Sequence, residues 1–351
     1  MRKLICLVMG GILLSLLAVG PAFAEMEAIK VGKGSLKVGG VLQAGFTYNM
    51  EDEDVMKISN SFTLNRVRFL FWGDIVPEKV KYFVQTEGKG GTGVLDYKAR
   101  FFYIPQTEIC IGRFVPNFTW YQPQSTGKLE FINYPWTTTM YAQWRQTGIM
   151  STTTTEYVDF NLGIFNGGDI PNNVTDNNDA KDFLLRADFK VPVEAATVRI
   201  GGFGWLGNAL PTDVAANPDE ETYSMNSFGG FAVADYKMDN DMVLKFRGEF
   251  VTGTCEYSTD GTFDNIDETT SQAMFVQGSV MPMPKWEFLA RFETYDPNTD
   301  MDDDKVTAIT GGVNYYLEGI NSMFYLNYIH IGEETTDVDN DRVQLQAQIL
   351  F

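Results

Sequence analysis

The chain has 351 residues, 44% of them hydrophobic and 14% aromatic, with 33 glycines, which suffices for one large all-β domain or two smaller ones. Its formal net charge of −19 tells against nucleic acid as a partner, because a polyphosphate would be repelled. No window beyond the N-terminus reaches the run of about 18 apolar residues that a spanning helix needs, which leaves a membrane barrel of alternating strands open.

The first 24 residues read as a cleaved secretory signal. Arg2 and Lys3 give a charged start, Ile5 to Val19 a mostly apolar stretch, and Ala22-Phe23-Ala24 a small-x-small cleavage site. Cys6 lies early in the apolar stretch, away from the cleavage site, so this is not a lipoprotein leader. Losing Arg2 and Lys3 takes the net charge from −19 to −21. Cys110 and Cys255 remain, too few for a disulfide scaffold. The single histidine, His330, has no Cys or carboxylate at ligand spacing, so no metal or other cofactor is expected.

After a polar leader from Glu25 to Gly34, period-two alternation predicts about sixteen strands over residues 25–351. The first runs from Leu36 to Asn49. Phe62 to Asp74 sets Val67, Phe69 and Phe71 against Arg66 and Arg68, and Val80 to Glu87 follows. Val94 to Tyr103 sets Leu95, Tyr97, Ala99 and Phe101 against Asp96, Lys98 and Arg100, and Glu108 to Phe114 comes next. An irregular stretch from Pro116 to Tyr141 interrupts the series. Strands resume at Gln143 to Ser151, Tyr157 to Phe165, Asp182 to Lys190, Ala196 to Trp205 and Ser227 to Tyr236. Met242 to Phe250, Gln272 to Val280, Trp286 to Tyr295, Lys305 to Tyr316 and Met323 to Ile331 follow. The last strand, Arg342 to Phe351, has Val343, Leu345, Ala347 and Ile349 on one face, with Arg342 and three glutamines on the other, expected to line water.

The connections alternate short and long. Ile75 to Glu78, Val191 to Glu194 and Met281 to Lys285 are short; Met50 to Ser59, Asn166 to Lys181, Leu206 to Asn226 and Thr252 to Ser271 are long. An even number of antiparallel strands, with short turns at one rim and long loops at the other, is the layout of a bacterial outer-membrane barrel with both termini periplasmic. Aromatics near strand ends, among them Tyr48, Trp72, Tyr103, Trp205, Tyr236, Trp286, Tyr295 and Tyr316, suit interfacial girdles. Six long loops hold about 26 of the 46 acids, either as a solvated face or as a layer bridged by divalent cations to lipopolysaccharide phosphates.

Several stretches resemble the phosphate-selective porin O and P family. They are Asn65-Arg66-Val67-Arg68-Phe69-Leu70-Phe71-Trp72-Gly73-Asp74, Ile111-Gly112-Arg113-Phe114-Val115-Pro116, Arg291-Phe292-Glu293-Thr294-Tyr295-Asp296-Pro297 and Gly311-Gly312-Val313-Asn314-Tyr315-Tyr316-Leu317. The resemblance implies a sixteen-stranded homotrimeric channel in outer-membrane lipid, with the third long loop folded into the pore. The terminal Phe351 fits the pattern read by the barrel-assembly machinery.

Pro116 to Tyr141 is the candidate for that loop. A cationic ring selects anions, yet the loop offers one cation, Lys128, with Glu130 two positions on. It is rich instead in aromatics, including Trp120, Tyr121, Tyr134 and Trp136, which either pack the loop on the wall or present an apolar surface to solutes. The lumen parity collects Arg66, Arg68, Arg100, Arg145, Arg186, Arg247 and Arg291, along with Asp96, Asp159, Asp188, Glu249 and Glu293. These arginines either select anions or pair with the acids and brace the wall. A passive porin for small hydrophilic solutes is the leading expectation. The alternative is a barrel sheathing a partner such as a periplasmic electron-transfer cytochrome. An outer-membrane enzyme is disfavoured, because His330 lacks a Ser and Asp arrangement around it.

Overall fold

A computed structural model describes residues 28–50, 59–91, 93–167, 176, 178–211, 221–335 and 338–351. The leader read as a signal lies outside them. A short β1 (Ile29–Val31) folds back on β2 (Gly34–Asn49). There follow β3 (Asn60–Val76), β4 (Val80–Glu87), β5 (Gly93–Ile104), β6 (Thr107–Phe114), β7 (Gln146–Thr154), β8 (Val158–Phe165) and β9 (Asp182–Val193). The second half comprises β10 (Ala196–Ala209), β11 (Tyr223–Lys237), β12 (Val243–Ser258), β13 (Ile266–Met283), β14 (Trp286–Asp296), β15 (Val306–Tyr316), β16 (Ser322–Glu333) and β17 (Arg342–Leu350). From β2 onward each strand pairs antiparallel with the next. β17 then pairs with β2, with Leu345 opposite Phe46 and Ile349 opposite Leu42, and closes a sixteen-stranded barrel. Closure leaves none of these strands with an unpaired edge, as a hydrocarbon surround requires.

Phe351 extends this seam. Its N–H and C=O exchange hydrogen bonds with Gly40 at 3.2 and 2.9 Å. Its ring lies so close over Gly40 that an added Cβ would stand 2.3 Å from it, so any larger residue there would push the ring aside.

The alternation decides which way side chains point. On β9, Phe183, Leu185 and Phe189 are exposed outward, while Arg186 and Asp188 are buried within. The same holds for Phe288 and Phe292 against Arg291 and Glu293 on β14. The predicted strands all form, with three instructive differences. β7 starts at Gln146, because the stretch to Arg145 is the return of the inserted loop and Trp144 sits at φ 20°. β12 and β13 run on to Ser258 and Ile266, which shortens the connection between them to residues 259–265. There the hydrogen-bond ladder continues past the apolar band, where the hydrophobic alternation has already stopped. The connection 88–92 is short although it lies at the long-loop rim. The girdle also needs correction: Trp205 and Tyr316 are buried, and Trp205 belongs to an apolar cluster inside the barrel.

The third connection at the long-loop rim, residues 115–145, enters the lumen. It carries a 3-10 turn at Thr126–Lys128 and one short helix, α1 (Trp136–Tyr141). Buried backbone groups must find partners, and the barrel wall supplies them. Arg186 donates to the Phe118 and Thr119 carbonyls at 3.2 and 2.7 Å. Glu249 accepts the Trp120 N–H and the Thr137 hydroxyl, each at 2.5 Å. Glu293 accepts the Trp136 N–H at 2.7 Å, and Arg291 donates to the Asn133 carbonyl at 3.2 Å. Asn314, Asn327 and Tyr325 bond Glu130, Ile132 and Leu129 in turn. Gln43 and Gln348 reach the Thr126 and Gly127 carbonyls.

Beneath this polar stitching, Phe118 packs edge-on to Phe203 and Trp205. The cluster takes in Phe114, Phe165, Phe231 and Val251, so much of the β6–β13 side of the lumen is an apolar core roofed by the loop.

Arg186 joins the loop to a buried ion pair. It pairs with Asp188 through two nitrogens at 2.7 Å while holding two loop carbonyls. Arg186→Ala should therefore cost about 3–5 kcal/mol, since it strands a buried carboxylate, measured as a lowered urea midpoint of the folded barrel in detergent micelles. An unchanged midpoint would refute the anchoring role.

Candidate functional site

With the loop fixed to the β9–β17 side, open space remains against the opposite wall. A cavity of about 790 Å³ lies between the loop and strands β2–β5 and β17. That lies within the range of about 300–1,000 Å³ typical of small-molecule sites.

The wall side is cationic. Arg66, Arg68, Lys98 and Arg342 line it, and Arg145 joins them from the loop's return; Asp96 is the acid in the lining. A bulge between β2 and β3 inserts Asn65, whose amide bonds Gln346 at 2.7 Å. The ladder resumes with Arg66 opposite Gln43, and Arg66 donates to Gln43 Oε1 at 2.7 Å. Arg68 pairs with Glu87 at 2.9 Å and Arg145 with Asp96 at 3.0 Å. Among the described residues Arg66, Lys98 and Arg342 form no ion pair, so the passage keeps an excess of positive charge inside a strongly acidic chain.

The loop side is aromatic. Tyr134, Trp136 and Trp144 line it, with Tyr134 and Trp144 in edge contact at 5.3 Å. The Arg66 guanidinium stands 5.8 Å from the Tyr134 ring centre, at cation–π distance. Burial pushes the Tyr134 phenol above its ordinary range, against the opposing pull of Arg66, Arg68 and Arg145. The ring therefore stays uncharged at neutral pH and takes nothing from the positive excess. Gln122 also lines the cavity; it is 2% exposed, and neither its amide nitrogen nor its oxygen has a hydrogen-bond partner.

The remaining candidates fall elsewhere. Arg186, Arg247 and Arg291 lie beneath or beside the loop. Arg186 and Arg291 stack on Phe231 and Phe131, and Arg247 pairs with Asp235 and Glu130 at 2.6 and 3.3 Å. Glu130 also accepts the Tyr121 hydroxyl at 2.6 Å. Arg100 is paired with Glu108 near the short-turn rim. Lys128 is exposed and outside the lining. Trp120 and Tyr121 pack on Phe231 and Phe275, away from the cavity. On β17, Arg342 and Gln344 line the passage, whereas Gln346 and Gln348 are buried in bonds to protein rather than water. Cys110 is buried and Cys255 exposed, and the two are not joined in a disulfide. His330 pairs with Asp341 at 2.8 Å on the barrel exterior.

Sequence reading passed over Lys98, Gln122 and Trp144 as site residues. It also missed a signal for sorting the arginines. On β9, β12 and β14 an arginine is followed two residues later, on the same face, by an acid: Arg186 and Asp188, Arg247 and Glu249, Arg291 and Glu293. All three arginines touch the loop. On β3 the same spacing gives Arg66 and Arg68, with no acid between, and these two line the cavity.

The outer-membrane channel DcaP of Acinetobacter baumannii has a TM-score of 0.67 at 12% identity, covering 93% of this chain and all of that one. The anion-selective porin of Comamonas acidovorans follows at 0.59 and 12%, covering 91% and 100%. The trimer form of OmpT from Vibrio cholerae gives 0.58 and 12%, covering 91% and 99%. At these identities the likeness establishes the fold. No curated protein matches by sequence. The family model for phosphate-selective porin O and P matches residues 36–351. With the closed barrel, this match makes the chain an outer-membrane protein of a Gram-negative cell, and it belongs to the phosphate-selective porin O and P family.

Proposed function

We propose that the barrel is a passive diffusion channel that prefers small anions. The observation that carries this reading is the lining: five cations face the open space with one acid, and three of those cations form no ion pair among the described residues. A wall of fixed positive charge in a confined passage raises the local anion concentration and repels cations. Fixed charges that lie more than about 8 Å from the passage are largely screened from it at physiological salt. The cavity's size also favours small solutes over the sheathing of a folded partner protein.

A KCl gradient across a bilayer holding the purified protein should give a reversal potential of chloride preference. Replacing Arg66 or Arg342 by Gln should each lower the chloride-to-potassium ratio about threefold, the effect of a unit charge about 6 Å from the ion path at near-aqueous screening. Cation preference in the parent protein would sink the reading.

A homotrimer is part of the proposal. β6, β7 and β8 have 8, 9 and 8 residues, against 16 and 18 for β12 and β13. A tilted strand needs about 9–11 residues to cross the bilayer, so this low wall matches lipid poorly and suits contact with further copies. Its outer face mixes Ser151 with Ile109, Ile149 and Leu162 beside an apolar groove of about 950 Å³. In a Cys255→Ser background, Ile149→Cys should form disulfide-linked subunits in membranes while Phe292→Cys on the far wall does not. The reverse pattern would place the interface elsewhere.

Phe351 is proposed to serve the assembly machinery as well as the seam. Deleting it should cut the heat-resistant folded fraction in cells several-fold, while refolding into detergent proceeds, because the β17–β2 ladder remains. Equal loss in both settings would mean a structural role alone.

A further inference from the structure

The cation-lined passage has two chemically different sides, and the anion-preferring reading uses only one of them. Cations on the β2–β5 and β17 wall face a loop surface formed by Tyr134, Trp136 and Trp144. A channel for inorganic anions has no need of that surface, because aromatic faces do nothing for a small, strongly hydrated ion. They do favour flat apolar bodies, through offset and edge-to-face ring contacts. The wall cations meanwhile offer charge-assisted bonds to a carboxylate.

The other loop aromatics are used up in packing: Trp120 and Tyr121 lie on Phe231 and Phe275. Tyr134, Trp136 and Trp144 are thus the part of the aromatic-rich loop turned toward solute.

We propose that this passage holds a subsite for planar aromatic carboxylates, the ring lying along Tyr134, Trp136 and Trp144 and the carboxylate held by Arg66 and its neighbours on the wall. The subsite rests on the anion-preferring reading above and goes further, naming the class of anion. It also separates this chain from channels built for inorganic phosphate, whose recognition needs cations without ring surfaces.

The test uses the full-length protein in planar bilayers, with benzoate, cyclohexanecarboxylate, acetate or inorganic phosphate added to one side at equal ionic strength. Benzoate should interrupt the chloride current at a concentration about tenfold lower than acetate does, as expected for one or two ring contacts. Cyclohexanecarboxylate, of similar size but not flat, should fall between them. Tyr134→Leu and Trp136→Leu should bring benzoate toward acetate, while Arg66→Gln should weaken both alike. The comparison of solutes on the parent protein stands even if the variants assemble poorly. Equal interruption by benzoate and acetate, by benzoate and cyclohexanecarboxylate, or stronger interruption by phosphate would overturn the subsite. If chloride preference persists in that case, only this inference falls. If the reversal potential shows cation preference, the anion reading falls with it.

Discussion

The inserted loop can occupy the lumen only because the wall satisfies its backbone. Residues 115–145 carry peptide groups into a space where few could reach water, and an unpaired buried peptide group costs as much as a lost hydrogen bond. Seven strands answer with side chains: Arg186 from β9, Glu249 from β12, Arg291 and Glu293 from β14, Asn314 from β15, Asn327 and Tyr325 from β16, Gln348 from β17 and Gln43 from β2. That set, together with the apolar packing of Phe118, holds the loop where it lies and gives the passage its second wall.

This arrangement also explains the uneven lumen. A water-filled barrel would be polar all round. Here the β6–β13 side carries Phe165, Phe203, Trp205 and Phe231 inward, buried against Phe118 of the loop. That side behaves as the core of a soluble protein, and the loop is its covering layer. The β2–β5 side keeps the wet surface and with it the unpaired cations. Charge is thereby sorted by location: acids in the rim loops, neutralised pairs under the loop, and a positive remainder along the passage.

The anchoring pairs and the passage arginines differ in energetics as well as in place. Arg186 and Arg291 each sit beside an acid and over an aromatic ring, so their charge is spent locally. Arg66 bonds a neutral amide and faces Tyr134 across the cavity, so its field extends into the solute path. Identical residue types on identical strand parity thus serve opposite ends, one holding protein and the other attracting ions.

The barrel itself was legible in the sequence, because strand parity is a local property with a period of two residues. The number of strands, the lipid-facing set from Leu42 to Ile349 and the two kinds of rim follow from it. Boundaries slipped where hydrophobic alternation and hydrogen bonding part company: at β12 and β13 above the apolar band, and at β7, where Trp144 breaks the extended chain. Parity says which side of the wall a residue faces, but not what it meets there. Whether an arginine, a glutamine or a tryptophan inside the barrel touches solvent depends on the path of the inserted loop. That path is set by contacts such as Trp120 with Glu249, 129 residues apart. No local pattern encodes a meeting at that separation, so the tertiary structure alone decided that Gln348 is buried, that Arg247 is paired, and that Arg66, Lys98 and Tyr134 line one passage.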